Sequence, residues 1–167
     1  SELRVFQEQF STMAKARLNA EQQLKDQHIK DQQYKDSQSL LFESQNQLTR
    51  HIENTPLGYI SWDINFYCRE WNKSAEKMFG YSAEEAIGRH VSELILAPSV
   101  YEERKSEFTS LFYKKEGSYS TNRNITRSGN ILVCEWHITP TESLNGDVTG
   151  LSSLVQDVTK RKKMEAK

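Results

Sequence analysis

Residues 1–55 contain no glycine, no proline and no tryptophan; all seven glycines, three prolines and three tryptophans follow. The whole chain of 167 residues has only two cysteines. That excludes a disulfide scaffold and makes a reducing, cytoplasmic setting the expectation. Neither charge is in excess: 22 Lys and Arg stand against 23 Asp and Glu. This speaks against a nucleic-acid footprint, so no nucleic-acid partner is expected. No apolar run approaches the ~20 residues of a membrane span, and no signal peptide is visible, so no membrane contact is expected of this segment. There is no P-loop, no Gly-x-Ser-x-Gly and no carboxylate pair with a partner base. The chain is therefore expected not to be an enzyme, any catalysis belonging to a downstream domain. The mean hydropathy of −0.76 is low for one compact ball of this length.

The first third is rich in what remains. Ten of the eleven glutamines lie there, among Lys, Glu, Ala and Leu. Such a breaker-free stretch favours one long helix. A heptad frame places Leu3, Phe10, Arg17, Leu24, Asp31, Gln38 and Gln45 at position a. It places Phe6, Met13, Ala20, Gln27, Tyr34, Leu41 and Leu48 at position d. The apolar members Leu3, Phe6, Phe10, Met13, Leu24, Leu41 and Leu48 form a candidate dimer seam, interrupted near Gln27 and Asp31. A single helix cannot bury so thin a stripe on itself. A second copy can, which points to a parallel homodimeric coiled coil over residues 1–51. The competing reading is a solvated linker helix, ordered near its ends.

From Pro56 the pattern changes. Tyr59–Asp63 and Phe66–Trp71 read as short strands linked by Ile64 and Asn65. Asn72 and Ser74 offer N-caps to a helix over Ala75–Phe79 that ends at Gly80. Ser82, Ala83, Glu84 and Glu85 form a capping box for a second short helix, stopped by Gly88. Val100–Tyr113 carries apolar residues at helical spacing. Ser118–Arg127, Ile131–Thr139 and Val148–Val158 read as three longer strands. This order predicts an α+β domain with a five-stranded antiparallel sheet flanked by short helices. Strand parity sends Ile60, Trp62, Leu132, Cys134, Trp136, Ser153 and Val155 toward the helices, where a ligand cavity would form. Alternatively Trp62 and Trp136 fill that space and close the core. The other sheet face carries Ile131 and Val133 and needs a cover, for which the N-terminal helix or a twin subunit is the candidate.

Several stretches resemble the PAS sensor-domain family. They are Glu53-Asn54-Thr55-Pro56-Leu57-Gly58 and the run from Glu70-Trp71-Asn72 through Met78-Phe79-Gly80-Tyr81 to Ile87-Gly88-Arg89. Arg127-Ser128-Gly129-Asn130, Trp136, Thr139-Pro140 and Gln156-Asp157-Val158-Thr159-Lys160-Arg161 follow in the same order. The resemblance covers roughly residues 52–161. It implies a PAS fold over 52–159 and the start of an exit signalling helix over 160–167. It also implies a sensory or relay role in a bacterial signalling protein of the kinase, cyclic-di-GMP enzyme or chemoreceptor class. The partners implied are a second copy, a covalently linked output domain and a small-molecule ligand. Asp157 and Thr159 match the family's junction motif, where the last strand hands over to the exit helix; the plainer reading is a routine helix cap. A chain that starts inside a helix and ends in charged helix formers reads as a cut from a longer protein.

The resemblance leaves the cofactor unknown and argues against two kinds. A thiol-adduct flavin domain has Gly-x-Asn-Cys where this chain has Gly88-Arg89-His90-Val91. A haem domain of the oxygen-sensor type places a histidine on the long helix near where Lys105 stands. Cys134 and His137 lie three apart on a strand, hence on opposite faces, which speaks against a shared metal. By the family's strand order Cys68 and Cys134 lie on non-neighbouring strands, which speaks against a disulfide. His51, beside Arg50 and Glu53, superficially resembles a kinase phosphoacceptor, but no nucleotide-binding motif follows.

Overall fold

The structure, a computed structural model, describes residues 1–166, so Lys167 of the expected exit helix lies outside the described residues. The chain divides into two compact units, Ser1–Thr49 and a second from Arg50 onward. Helix α1 runs over Glu2–Asn54 without interruption and has no buried residue among those described. At ~1.5 Å per residue it is about 80 Å long. Its polar middle is self-bonded: Gln22, Gln27 and Gln32 donate to Asp26, Asp31 and Asp36 one turn on, at 2.9–3.1 Å. The seam residues Gln27 and Asp31 thus satisfy each other along one helix. Leu3, Phe6, Phe10, Met13, Leu24, Leu41 and Leu48 are all more than half exposed.

The second unit is built on one antiparallel sheet in the order β2-β1-β5-β4-β3. Its strands are β1 (Gly58–Asp63), β2 (Cys68–Trp71), β3 (Ser118–Ile125), β4 (Ile131–Glu142) and β5 (Val148–Asp157). Helices α2 (Lys73–Phe79), α3 (Ala83–Ala86), α4 (Val91–Leu94) and α5 (Pro98–Ser110) lie between β2 and β3 in sequence, and α6 (Thr159–Glu165) follows β5. Asn72, Gly80 and Ser82 cap as the sequence predicts, whereas Ser74 lies inside α2 with its hydroxyl donated to the Thr55 carbonyl, and α3 ends at Ile87 rather than Gly88. Asn72 Oδ1 accepts from Ala75 N at 3.0 Å, Gly80 closes α2 at φ 85°, and Ser82 Oγ accepts from Glu85 N at 3.2 Å. A positive φ is cheap only without a Cβ, which explains glycine at position 80.

Three local expectations need correction. The second strand begins at Cys68, not Phe66, because Phe66 takes a left-handed φ of 65°. The turn is held by Asp63 Oδ1, which accepts from Asn65 N and Tyr67 N at 2.8 and 3.0 Å. It drives the Phe66 ring, 7% exposed, among Tyr101, Phe108 and Phe112. Burying an aromatic ring outweighs the backbone strain. The long helix starts at Pro98, a favoured first-turn residue, and tightens into a 3-10 turn over Leu111–Tyr113. The third strand ends at Ile125, and Thr126–Asn130 form the turn into β4.

The core lies between the sheet and α2–α5. Ile60, Trp62, Cys134, Trp136, Leu151 and Val155 face Phe79, Val91, Leu94 and Ile95. Phe79 stacks on Trp136 with ring centres 6.4 Å apart. Gly150 permits the β1–β5 pairing, since a Cβ there would lie 2.1 Å from the Trp62 carbonyl oxygen.

Candidate functional site

Two places in the second unit bear on function: a cavity under the sheet and the junction from β5 to α6. The cavity measures about 50 Å³ and lies among Trp62, Phe66, Phe108, Leu111, Asn122 and Trp136. At ~10–15 Å³ per water centre it takes a few water molecules. Its polar edge comes from β3. Asn124, 5% exposed, accepts from Trp136 Nε1 at 2.9 Å and donates to the Ile95 carbonyl at 3.3 Å. Asn122 accepts from the Arg104 guanidinium at 3.1 Å and donates to Ser120 Oγ at 3.2 Å.

Of the sequence-predicted cavity residues, Trp62 and Trp136 line this space. Ile60, Cys134, Ser153 and Val155 are buried in the surrounding core. Ser153 Oγ donates to the Ile60 carbonyl, tying β5 to β1. Leu132 lines a separate shallow groove with Phe79 and Arg127. Sequence reasoning missed Asn122, Asn124 and Arg104. The signal was available: two asparagines two residues apart occupy the inward face of a strand, where apolar residues are the rule.

At the junction, the Thr159 hydroxyl donates to Asp157 Oδ1 at 2.5 Å and accepts from Val133 N at 2.9 Å. Asp157 Oδ1 also accepts from Thr159 N at 3.0 Å, and Val158 N donates to the Val133 carbonyl at 2.8 Å. The first residue of α6 is thereby bound to strand β4. Arg161 pairs with Glu135 of β4. Glu135 is held below its ordinary value chiefly by a hydrogen bond from Tyr119, then against partial burial by Arg161 and Lys162.

The N-terminal side has its own anchor. Asn72, 1% exposed, accepts from Tyr59 N and Ala75 N and donates to the carbonyls of Ile52 and Leu57. One amide therefore joins the last turn of α1, the start of β1 and the start of α2.

The residues weighed for cofactors have structural tasks. His90 caps α4 by accepting from Ser92 N at 3.2 Å, and its ring sits between Tyr67 and Tyr101. Val91 is buried, and Lys105 is exposed on α5 beside an open groove. Cys68 and Cys134 are free and buried, and burial pushes both thiols up to about 12, so both stay protonated at neutral pH. Cys134 is buried and His137 exposed, on opposite sheet faces. Among the described residues, no group of three or more His, Cys, Asp or Glu could hold a metal ion.

A five-stranded antiparallel sheet with helices over one face and a final helix bound to strand β4 defines the class of α+β module to which the chain belongs. The PAS fold family profile matches residues 46–158, more than half of the chain, and the chain belongs to the PAS family. A PAS domain of a protein from Colwellia psychrerythraea is similar at 26% identity and TM-score 0.64, over 70% of this chain and 98% of that one. The PAS domain of an HTR-like protein from Haloarcula marismortui shares the fold at 21% identity and TM-score 0.62, over 74% and 98%. So does a PAS domain from a two-component sensor histidine kinase, at 17% identity and TM-score 0.55, over 72% and 98%. No curated protein matches the chain. Among the described residues, no helix is long and apolar enough to cross a membrane.

Proposed function

We propose that this chain is a sensory and signal-relay module of a bacterial signalling protein, of the kinase, cyclic-di-GMP enzyme or chemoreceptor class. It dimerises through α1 and passes a conformational change to a C-terminal output domain. It carries out no catalysis itself. The observation that carries this reading is the Thr159 hydroxyl, bonded at once to Asp157 and to the backbone of β4. A change in the sheet therefore reaches the first turn of α6 through hydrogen bonds. The exposed apolar seam of α1 supports pairing, because a helix of this length with such a stripe is stabilised by a second copy. Rotation or sliding of paired helices then needs a loosely held segment, and the self-bonded polar stretch around Gln27 and Asp31 supplies one.

A second reading is a ligand-free dimerisation scaffold. The smallness of the cavity and the filled bonding of Trp136 favour it. Native mass spectrometry separates the two. A dimer of the 19.4 kDa chain carrying extra mass that is released on denaturation supports sensing. A bare dimer supports the scaffold, and a strict monomer at high concentration contradicts both.

A further inference from the structure

The indole N–H groups of the three tryptophans are not treated alike. Trp71 donates to the Tyr81 carbonyl at 2.9 Å, and Trp136 donates to Asn124 Oδ1 at 2.9 Å. Trp62 is 5% exposed and lines the cavity, yet its N–H has no protein acceptor among the described residues. Fully enclosed side-chain nitrogens and oxygens all have partners among those residues, so this N–H borders open space. A donor left unmet in an apolar surrounding is costly, whereas an oxygen with one unused lone pair is tolerated. Two further donors lie on β3. Asn122 Nδ2 donates to Ser120 Oγ, and Asn124 Nδ2 donates to the Ile95 carbonyl. Each amide NH2 carries two hydrogens, so each keeps one in reserve. The amide oxygens are already engaged, by Arg104 and Trp136.

Charge is missing from the same walls. Among the described residues, no Asp, Glu, His, Lys or Arg lines the cavity. Arg104, bonded to Asn122, lies over the Phe108 ring at 5.0 Å and pairs with Glu107 at 3.1 Å, so its charge is met outside. We propose that the cavity takes a small neutral carbonyl compound, a ketone or aldehyde, whose oxygen accepts from the Trp62 N–H. This rests on the sensing reading above and names the chemical class that is sensed. A carboxylate would enter without a counter-charge, and an ammonium would bring donors to donors, each losing its hydration. A carbonyl oxygen brings neither charge nor donor, and its apolar remainder lies against the rings of Phe66 and Trp136. The volume of about 50 Å³, at ~10–15 Å³ per water centre, sets the size at about four or five heavy atoms.

The test is nuclear magnetic resonance on the whole chain, following the indole N–H signals, with that of Trp62 assigned by through-bond correlation. The probes are 2-butanone, propionate and butylamine, which match in size and differ in charge and hydrogen bonding. Butanone is expected to move the Trp62 signal downfield and saturably, as a proton entering a hydrogen bond moves. Propionate and butylamine leave it in place at the same concentrations. Trp62→Phe, read on the Asn124 side-chain amide, weakens butanone binding by about fivefold to tenfold. Leu111→Trp fills the cavity from a half-buried position and abolishes the shift. Equal shifts with propionate or butylamine overturn the proposal. So does butanone that moves no signal, that binds Trp62→Phe unchanged, or that still shifts Trp62 in Leu111→Trp. If Trp62→Phe does not fold, the downfield shift in the wild type and its loss in Leu111→Trp decide. Butanone binding with unchanged output in a longer protein would sink the sensing reading and leave the ligand class standing. Absent binding sinks the ligand class and leaves the scaffold reading.

Discussion

At the scale of single residues, the strongest structural dependence falls on Asn72. Its amide bonds Tyr59 N and Ala75 N as acceptor, and the Ile52 and Leu57 carbonyls as donor, with 1% of the residue exposed. Asn72→Ala leaves those groups without partners in a dry site. Chemical denaturation is expected to show a loss of about 3 kcal/mol, well above an ordinary cap deletion. A loss below about 1 kcal/mol would mean that water replaces the amide. The sequence reveals Asn72 as a cap for α2 because that role is local. The bonds to Tyr59, Ile52 and Leu57 reach 13 to 20 residues back and have no local signature. Asp157 and Thr159 were legible through their resemblance to the family's junction motif, and Glu135 and Arg161 carried no such signature. The first pair sits two residues apart, whereas the second is joined across 26 residues by a strand pairing.

At the scale of elements, caps and turns were readable and short buried pieces were not. Gly80, Gly129 and Gly146 all take positive φ where turn chemistry places them. Helix α4 has four residues, too few for a period to show, yet Val91 and Leu94 are buried in it. Phe66 defeats the strand pattern because its ring has a better place in the core than on a pleat. The β1–β5 pairing depends on Gly150, whose backbone lies against the Trp62 carbonyl. Gly150→Ala must push the two central strands apart, at about 2–3 kcal/mol. Thermal unfolding is expected to fall by several degrees, at about 4 °C per kcal/mol for a domain of this size. An unchanged midpoint would mean that the strands adjust without losing register.

At the scale of the whole molecule, the division first seen as missing glycine and proline is a division of tasks. The breaker-free part is a helix with an exposed apolar stripe, and the remainder is a PAS domain with its own core. The domain's architecture was legible because period-two strands and helix caps are written locally. The cavity was legible only at Trp62 and Trp136: Val91, Ile95 and Phe108 come from the helices and turns between β2 and β3, Phe66 from an irregular turn, and Asn122 and Asn124 are polar residues on an inward strand face. What joins the sheet to the exit helix is the junction at Asp157 and Thr159, so the most direct test of a relay is made there. The chain is fused ahead of a histidine-kinase catalytic core in a series of linkers stepped by one residue through a heptad. Autophosphorylation is then measured with and without Asp157→Ala. The wild-type series is expected to rise and fall by roughly tenfold with helical phase, and Asp157→Ala to flatten it while the domain stays folded. Two superimposable series would contradict a relay through this junction.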